Sequence, residues 1–200
     1  MQPLEVLEFW FEPPSRERWF NSTPAFDAAI RSRFETTWEQ ARNGQLAGWE
    51  ASPEGALALV IVLDQFPLNM YRGQALRHST EALSRAVAAR AIDRGFDLEL
   101  PKDRLAFLYL PYMHSESLAD QDRSVELFEQ AGLDANLEFA RHHRDIVRRF
   151  GRFPHRNSTL GRHSTPEELA WLASPDAFNP RPFRPACAVH GPRPPGRSWP

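Results

Sequence analysis

The chain of 200 residues is short of several residue types, and each shortage excludes a class of protein. Cys187 is the sole cysteine, so no disulfide can form within the chain, which suits a reducing cytoplasm. The longest uninterrupted apolar run, Ala56–Leu63, is far too short to cross a bilayer. The N-terminus lacks the basic and apolar segments of a signal peptide. These shortages predict a cytoplasmic protein with no membrane partner.

The net charge is also small, at −2, so the overall charge does not favour binding to nucleic acid or to a membrane. The distribution of charge is uneven, because residues 141–163 carry seven arginines against the single acid Asp145. Nucleic-acid binding is the least favoured reading of this segment, since no recognised module accompanies it. The chain also lacks a glycine-rich phosphate loop, a His-Glu-x-x-His motif and a cysteine pair. We therefore predict no cofactor and no metal.

Helical signals extend over most of the chain. Phe26, Ile30, Phe34 and Trp38 recur every four residues, behind a Thr23-Pro24 helix start. The apolar run after Pro53 could also be a buried strand, but its Ser-Pro-Glu start favours a helix. The predicted helices are Leu4–Phe11, one from Pro24 through Trp38, one from Pro53 that ends at Pro67, Ser79–Arg94, Pro101–Leu110, Leu118–Gln130, Asp134–Phe150, and one from Pro166 to about Ala173.

This pattern predicts an all-α domain over residues 1–175. Residues 176–200 are rich in proline and arginine and contain few aliphatic side chains. Such a composition predicts an extended or disordered tail without a core of its own.

Polar groups interrupt the apolar helices at three places. Asp64 and Gln65 follow the most apolar stretch, at the predicted end of its helix, where the helix dipole disfavours an acid. If Asp64 is buried there, it needs a cationic or donor partner, with Arg72 and Arg156 as the candidates. The alternative is an exposed helix end. His114 and Glu116 follow a second apolar stretch. They could serve as acid and base in catalysis, or they could only cap a helix.

The third place is the last long helix and the segment after it. His143 lies on the apolar face of that helix, and most histidines in such a position are core residues. The segment Arg148–Asn157 then combines arginine, histidine, asparagine and phenylalanine around a glycine and a proline. Guanidinium groups suit carboxylate and phosphate ligands. The ligand-binding candidates from this segment are Arg152, His155, Arg156 and Asn157, although a solvated helix end would look similar.

Several motifs stand out along the chain: Leu63–Pro67, Leu108–Glu116, Asp120-Gln121, Arg149–Asn157, Phe9–Phe11, Trp19-Phe20 and Leu160–Arg162. Together they resemble DUF924, a bacterial family of unknown function in the tetratricopeptide-like helical superfamily. The resemblance covers about residues 4–172 and implies stacked antiparallel helix pairs in a right-handed array. It implies no established activity. Leu68 departs from the family pattern, in which a basic residue often stands at this position.

Two functions remain open at this point. In the first, the polar groups converge between helices and bind a small anionic molecule, with His114 or Glu116 as the acid or base. In the second, the chain is a helical scaffold that binds a peptide or protein partner in an open groove, and the same polar groups stabilise helix packing.

Overall fold

The computed structural model describes residues 1–19, 21–174 and 177. Within these residues all regular structure is helical, which confirms the predicted all-α fold. The α-helices are α1 (Pro3–Phe11), α2 (Pro13–Arg16), α3 (Pro24–Arg42), α4 (Pro53–Met70), α5 (Glu81–Asp93), α6 (Lys102–Met113), α7 (Leu118–Gln130), α8 (Asp134–Phe150) and α9 (Pro166–Leu172). Short 3₁₀ segments lie at Ala47–Ala51, Ala75–His78, Phe96–Leu98 and Pro154–Arg156.

Helix α4 is the centre of the fold. It contacts α1, α3, α5 and α6, and nearly all of its residues are buried. Because its sequence is apolar on every side, it can be covered by neighbours in all directions. Its first turn is held by Ser52, whose hydroxyl accepts from the Gly55 N–H. The main core therefore forms around this helix, with aromatic rings of α1 and α3 packed against Phe66.

A second, smaller core forms at the end of α8. Leu137 and Ala140, in the first half of α8, belong to the main core. Ile146 and Val147, in its second half, pack instead with Phe153 and with Trp171 of α9. Helix α8 therefore connects the two cores.

The predicted ends of two helices are wrong, and Pro67 shows why. This proline lies inside α4, which continues to Met70. Proline has no N–H and cannot bond to the carbonyl of Leu63, four residues earlier. The Thr80 hydroxyl donates to that carbonyl at 2.6 Å, and the Trp38 indole N–H donates to Thr80 at 3.1 Å. The lost backbone bond is thus replaced by a residue outside the helix.

Two smaller corrections also concern prolines. Pro111 lies inside α6, which extends to Met113, whose carbonyl accepts from the buried Gln121 amide. Pro13 and Pro14 end α1 as expected, but they also begin α2, since proline fits the first helical turn.

The prediction for residues 176–200, including Cys187, falls outside the described residues apart from Ala177. The tetratricopeptide-like array stays a prediction. In the described part of the chain, none of the helices is both long enough and apolar enough to cross a membrane.

Candidate functional site

A cavity of about 170 Å³ lies where the two cores meet. Its wall comes from the end of α4, the segment before α5, the end of α6, the middle of α8 and the segment after α8. Leu68 contributes part of the apolar wall. The lining residues are Leu68, Arg77, His78, His114, His143, Phe153, His155, Arg156 and Thr159.

His114, which follows the last turn of α6, is held against the middle of α4. Its Nδ1 atom lies 3.0 Å from a carboxyl oxygen of Asp64, whose side chain is fully buried. The amide of Gln65 donates to the other carboxyl oxygen. Asp64 therefore lies inside α4, so its predicted position at a helix end is wrong. Its partners are His114 and Gln65, whereas the two candidate arginines, Arg72 and Arg156, bind Asp27 and Glu81.

Glu81, at the start of α5, joins His78 to Arg156. Its carboxylate lies 2.7 Å from His78 Nδ1 and accepts from Arg156 Nη1 at 2.9 Å. Burial works to raise the pKa of Glu81, but the hydrogen bond with His78 and the charge of Arg156 outweigh it and hold that pKa below its usual value. Arg156 is itself only 7% exposed and lies over the Phe153 ring. This ion pair connects the N-terminal and C-terminal walls of the cavity.

Arg77 has no such partner among the residues that the structure describes. No carboxylate there lies within ion-pair distance of its guanidinium, and its Nε atom is buried without a hydrogen-bond acceptor. Burial, followed by the positive charges of Arg72 and Arg156, lowers the pKa of Arg77 below its usual value, and the more weakly acting carboxylates of Glu81 and Asp27 only partly oppose this. An anion placed in the cavity would relieve this repulsion.

His143 and His155 complete the wall as neutral rings. Burial lowers the pKa of both imidazoles to about 3, and the charge of Arg156 adds to this effect at His155. His143 lies with Nδ1 2.7 Å from the carbonyl oxygen of Phe139, one turn earlier in α8. The histidine expected on the inward face of the helix is thus buried and reaches the cavity.

The other predicted site residues lie outside the cavity lining. Arg72 binds Asp27 of α3 through two hydrogen bonds of 2.8 and 3.2 Å. Arg152 forms a bidentate pair with Glu168 of α9, and the Asn157 amide donates to the same carboxylate. Hydrogen bonds to Glu168, first of all the one from Arg152, lower its pKa to about 2. Arg152 and Asn157 therefore anchor the segment after α8 to α9.

Glu116 also binds the segment after α8, and it does not line the cavity. Its carboxylate accepts two hydrogen bonds from Arg162, at 2.7 and 2.8 Å, and one from the Phe153 N–H. Burial works to raise the pKa of Glu116, but these donors hold it below its usual value. A carboxylate held in this way is a poor proton carrier at neutral pH.

Sequence reasoning missed Arg77, His78 and Glu81. The first two lie in the short segment Ala75–His78, which has no apolar periodicity. Arg77 is also one of many arginines in this chain, so its identity alone carried little signal. Among the described residues, no group of three or more His, Cys, Asp or Glu side chains is placed to hold a metal ion.

Comparisons with known proteins identify the family but no activity. A family model described as a bacterial protein of unknown function (DUF924) matches residues 6–176. A solved structure of a protein of unknown function from Agrobacterium tumefaciens is 41% identical, with a TM-score of 0.81. That match covers 86% of this chain and 96% of the other. No curated protein matches. With most of its length matched by the model, the chain belongs to the DUF924 family.

Proposed function

We propose that this protein binds a small anionic molecule in the cavity between its two cores. The observation that carries this proposal is Arg77, a partly buried guanidinium without an ion-pairing carboxylate among the described residues. A second guanidinium, that of Arg156, lines the same cavity and shares one carboxylate with His78. A buried cation is costly unless an anion or hydrogen-bond acceptor accompanies it. A bound phosphate or carboxylate group would supply that partner.

The dimensions of the cavity restrict the size of this ligand. An apolar cavity of about 150 Å³ holds a molecule as large as benzene. A cavity of about 170 Å³ therefore suits an anion of roughly five to ten non-hydrogen atoms, such as inorganic phosphate or a short carboxylic acid. Larger molecules would reach it only with their anionic end.

His114 is the group that we propose for proton transfer if the bound molecule is a substrate. It lines the cavity and is oriented by the buried Asp64 carboxyl group, as histidines that act as general acids or bases commonly are. Glu116, the other residue considered for this role, is held by Arg162 outside the cavity lining. The proposal therefore assigns Glu116 a structural role.

Thermal unfolding of the full chain tests the binding proposal. Melting temperatures are compared in sodium phosphate, sodium acetate and sodium chloride at equal ionic strength. A ligand at about 100 times its dissociation constant stabilises by about 2.7 kcal/mol, which raises the melting temperature of a chain of this size by several degrees. We expect phosphate or acetate to produce such a rise, and Arg77→Gln to abolish it.

Arg72→Gln is the matched control, because it removes a nearby arginine that binds Asp27 outside the cavity lining. This variant should keep the rise in melting temperature. An equal rise in Arg77→Gln, or no rise with either anion in the wild type, would overturn the proposal. The second result would favour the alternative that the chain is a scaffold for a peptide or protein partner.

A further inference from the structure

Two histidines of the cavity are held in the same way. His78 and His114 each direct Nδ1 toward a carboxyl group, that of Glu81 at 2.7 Å and that of Asp64 at 3.0 Å. Both side chains are largely buried, with 10% and 17% exposed, and both line the cavity. They approach the cavity from different elements, one from the segment before α5 and the other from the end of α6.

These contacts decide which ring nitrogen carries hydrogen. A carboxylate can only accept, so the imidazole hydrogen lies on Nδ1 and is donated to Glu81 or Asp64. In a neutral ring the other nitrogen, Nε2, then carries a lone pair and accepts. Neither Nε2 atom makes a hydrogen bond to any of the residues that the structure describes. When both rings are neutral, the cavity therefore contains acceptors in addition to the donors of Arg77 and Arg156.

We propose that the ligand is an anion that carries an O–H group of its own, such as hydrogen phosphate or a 2-hydroxycarboxylate. The anionic oxygens bind the guanidinium groups of Arg77 and Arg156, and the hydroxyl donates to Nε2 of His78 or His114. A fully deprotonated oxyanion such as sulfate is disfavoured, because its oxygens would face these lone pairs without a hydrogen between them. This inference rests on the proposed function and specifies the class of ligand for the same site.

Two matched pairs of anions test this inference by isothermal titration calorimetry at pH 8 and constant ionic strength. Hydrogen phosphate and sulfate share charge and shape, but only hydrogen phosphate carries an O–H group. Glycolate and acetate differ by one hydroxyl group. We expect the hydroxyl-bearing member of at least one pair to bind about tenfold more tightly than its partner. The pair that shows the preference distinguishes a phosphate ligand from a carboxylate ligand.

Two variants then identify which histidine accepts a hydrogen bond from the hydroxyl group of the anion. His114→Asn and His78→Asn keep an amide N–H near the position of Nδ1, so the buried carboxyl groups retain a donor, but they remove Nε2. We expect one of them to reduce the preference to about twofold or less, with little change in the affinity of the anion that lacks the hydroxyl. His163→Asn, at an exposed position outside the cavity lining, is the control and should keep the preference.

The outcomes separate this inference from the proposed function. Equal affinity within both pairs would overturn the inference and leave anion binding in place. A preference that survives in both His78→Asn and His114→Asn would also overturn it. No binding of any of the four anions would overturn the proposed function and this inference together.

Discussion

At the scale of single residues, the cavity depends on histidines that stay neutral when folded. Burial holds the pKa of His143 and of His155 at about 3, below the ordinary value of 6.5. Below pH 6.5 the unfolded chain therefore binds protons that the folded chain does not. The stability from each neutral ring is complete above pH 6.5 and is lost as the pH falls toward 3.

We expect each of these two histidines to cost about 2 kcal/mol of stability between pH 7 and pH 5. Denaturant unfolding at both pH values measures this loss. His143→Gln should reduce the pH dependence by about that amount, and His163→Gln on the surface controls for the change of residue type. Equal pH dependence in wild type and His143→Gln would contradict a buried neutral imidazole at this position.

Some residues of the cavity could be predicted from the sequence, but their pairing could not. Asp64, His114 and His143 stood out because they interrupt or follow apolar patterns. His155 and Arg156 stood out because they lie in the cation-rich segment Arg148–Asn157. The pairing of these residues could not be predicted, since the partner that Arg156 uses, Glu81, lies 75 positions away in the chain. Arg77 and His78 lie in a segment without periodicity, so no local signal distinguished them from surface residues.

At the scale of secondary structure elements, helix starts were predictable and two helix ends were not. The starts at Thr23, Ser52 and Thr165 depend on side chains that accept from N–H groups within the next turn, so the signal is local. The end of α4 depends on Thr80, which lies outside the helix. A proline normally ends a helix, but here a remote donor replaces the missing N–H.

A pair of substitutions tests this account of α4. Thr80→Val should destabilise the protein by about 1–3 kcal/mol, because it leaves the buried Leu63 carbonyl and the Trp38 N–H without a partner. Pro67→Ala restores a backbone N–H that can donate to Leu63. Thr80→Val should therefore cost less in the Pro67→Ala background, as measured by denaturant unfolding in a double-mutant cycle. Equal costs in the two backgrounds would show that Thr80 does not replace the lost bond.

At the scale of the whole molecule, the two cores differ in size and in the number of elements that support them. Among the residues that the structure describes, the smaller core consists of Ile146, Val147, Phe153 and Trp171, with Phe150 and Leu172 packed against it. It is attached to the larger core through α8 and through the ion pairs at Glu81 and Glu116. Such an arrangement favours local opening of the smaller core while α4 stays folded.

Trp171→Ala should therefore destabilise the smaller core without destabilising α4. Trp171 is 7% exposed and packs on Phe150, so its loss costs about 3–5 kcal/mol of local stability. We expect faster amide hydrogen exchange over residues 146–172 and unchanged protection in α4. Leu169→Ala, at an exposed position of the same helix, is the control and should have little effect. A uniform loss of protection through α4 would show that the two cores open as one unit.

The bond between Glu81 and Arg156 also has a consequence for the order in which the protein is made. A growing chain contains Glu81, His78 and Arg77 long before Arg156 leaves the ribosome. Until then the Glu81 carboxylate has His78 beside it but lacks its guanidinium partner, so burying this acid costs more than in the finished molecule. The cavity is therefore completed late in synthesis, and chains that stop before residue 156 lack the parts of its wall that Arg156 and Thr159 supply.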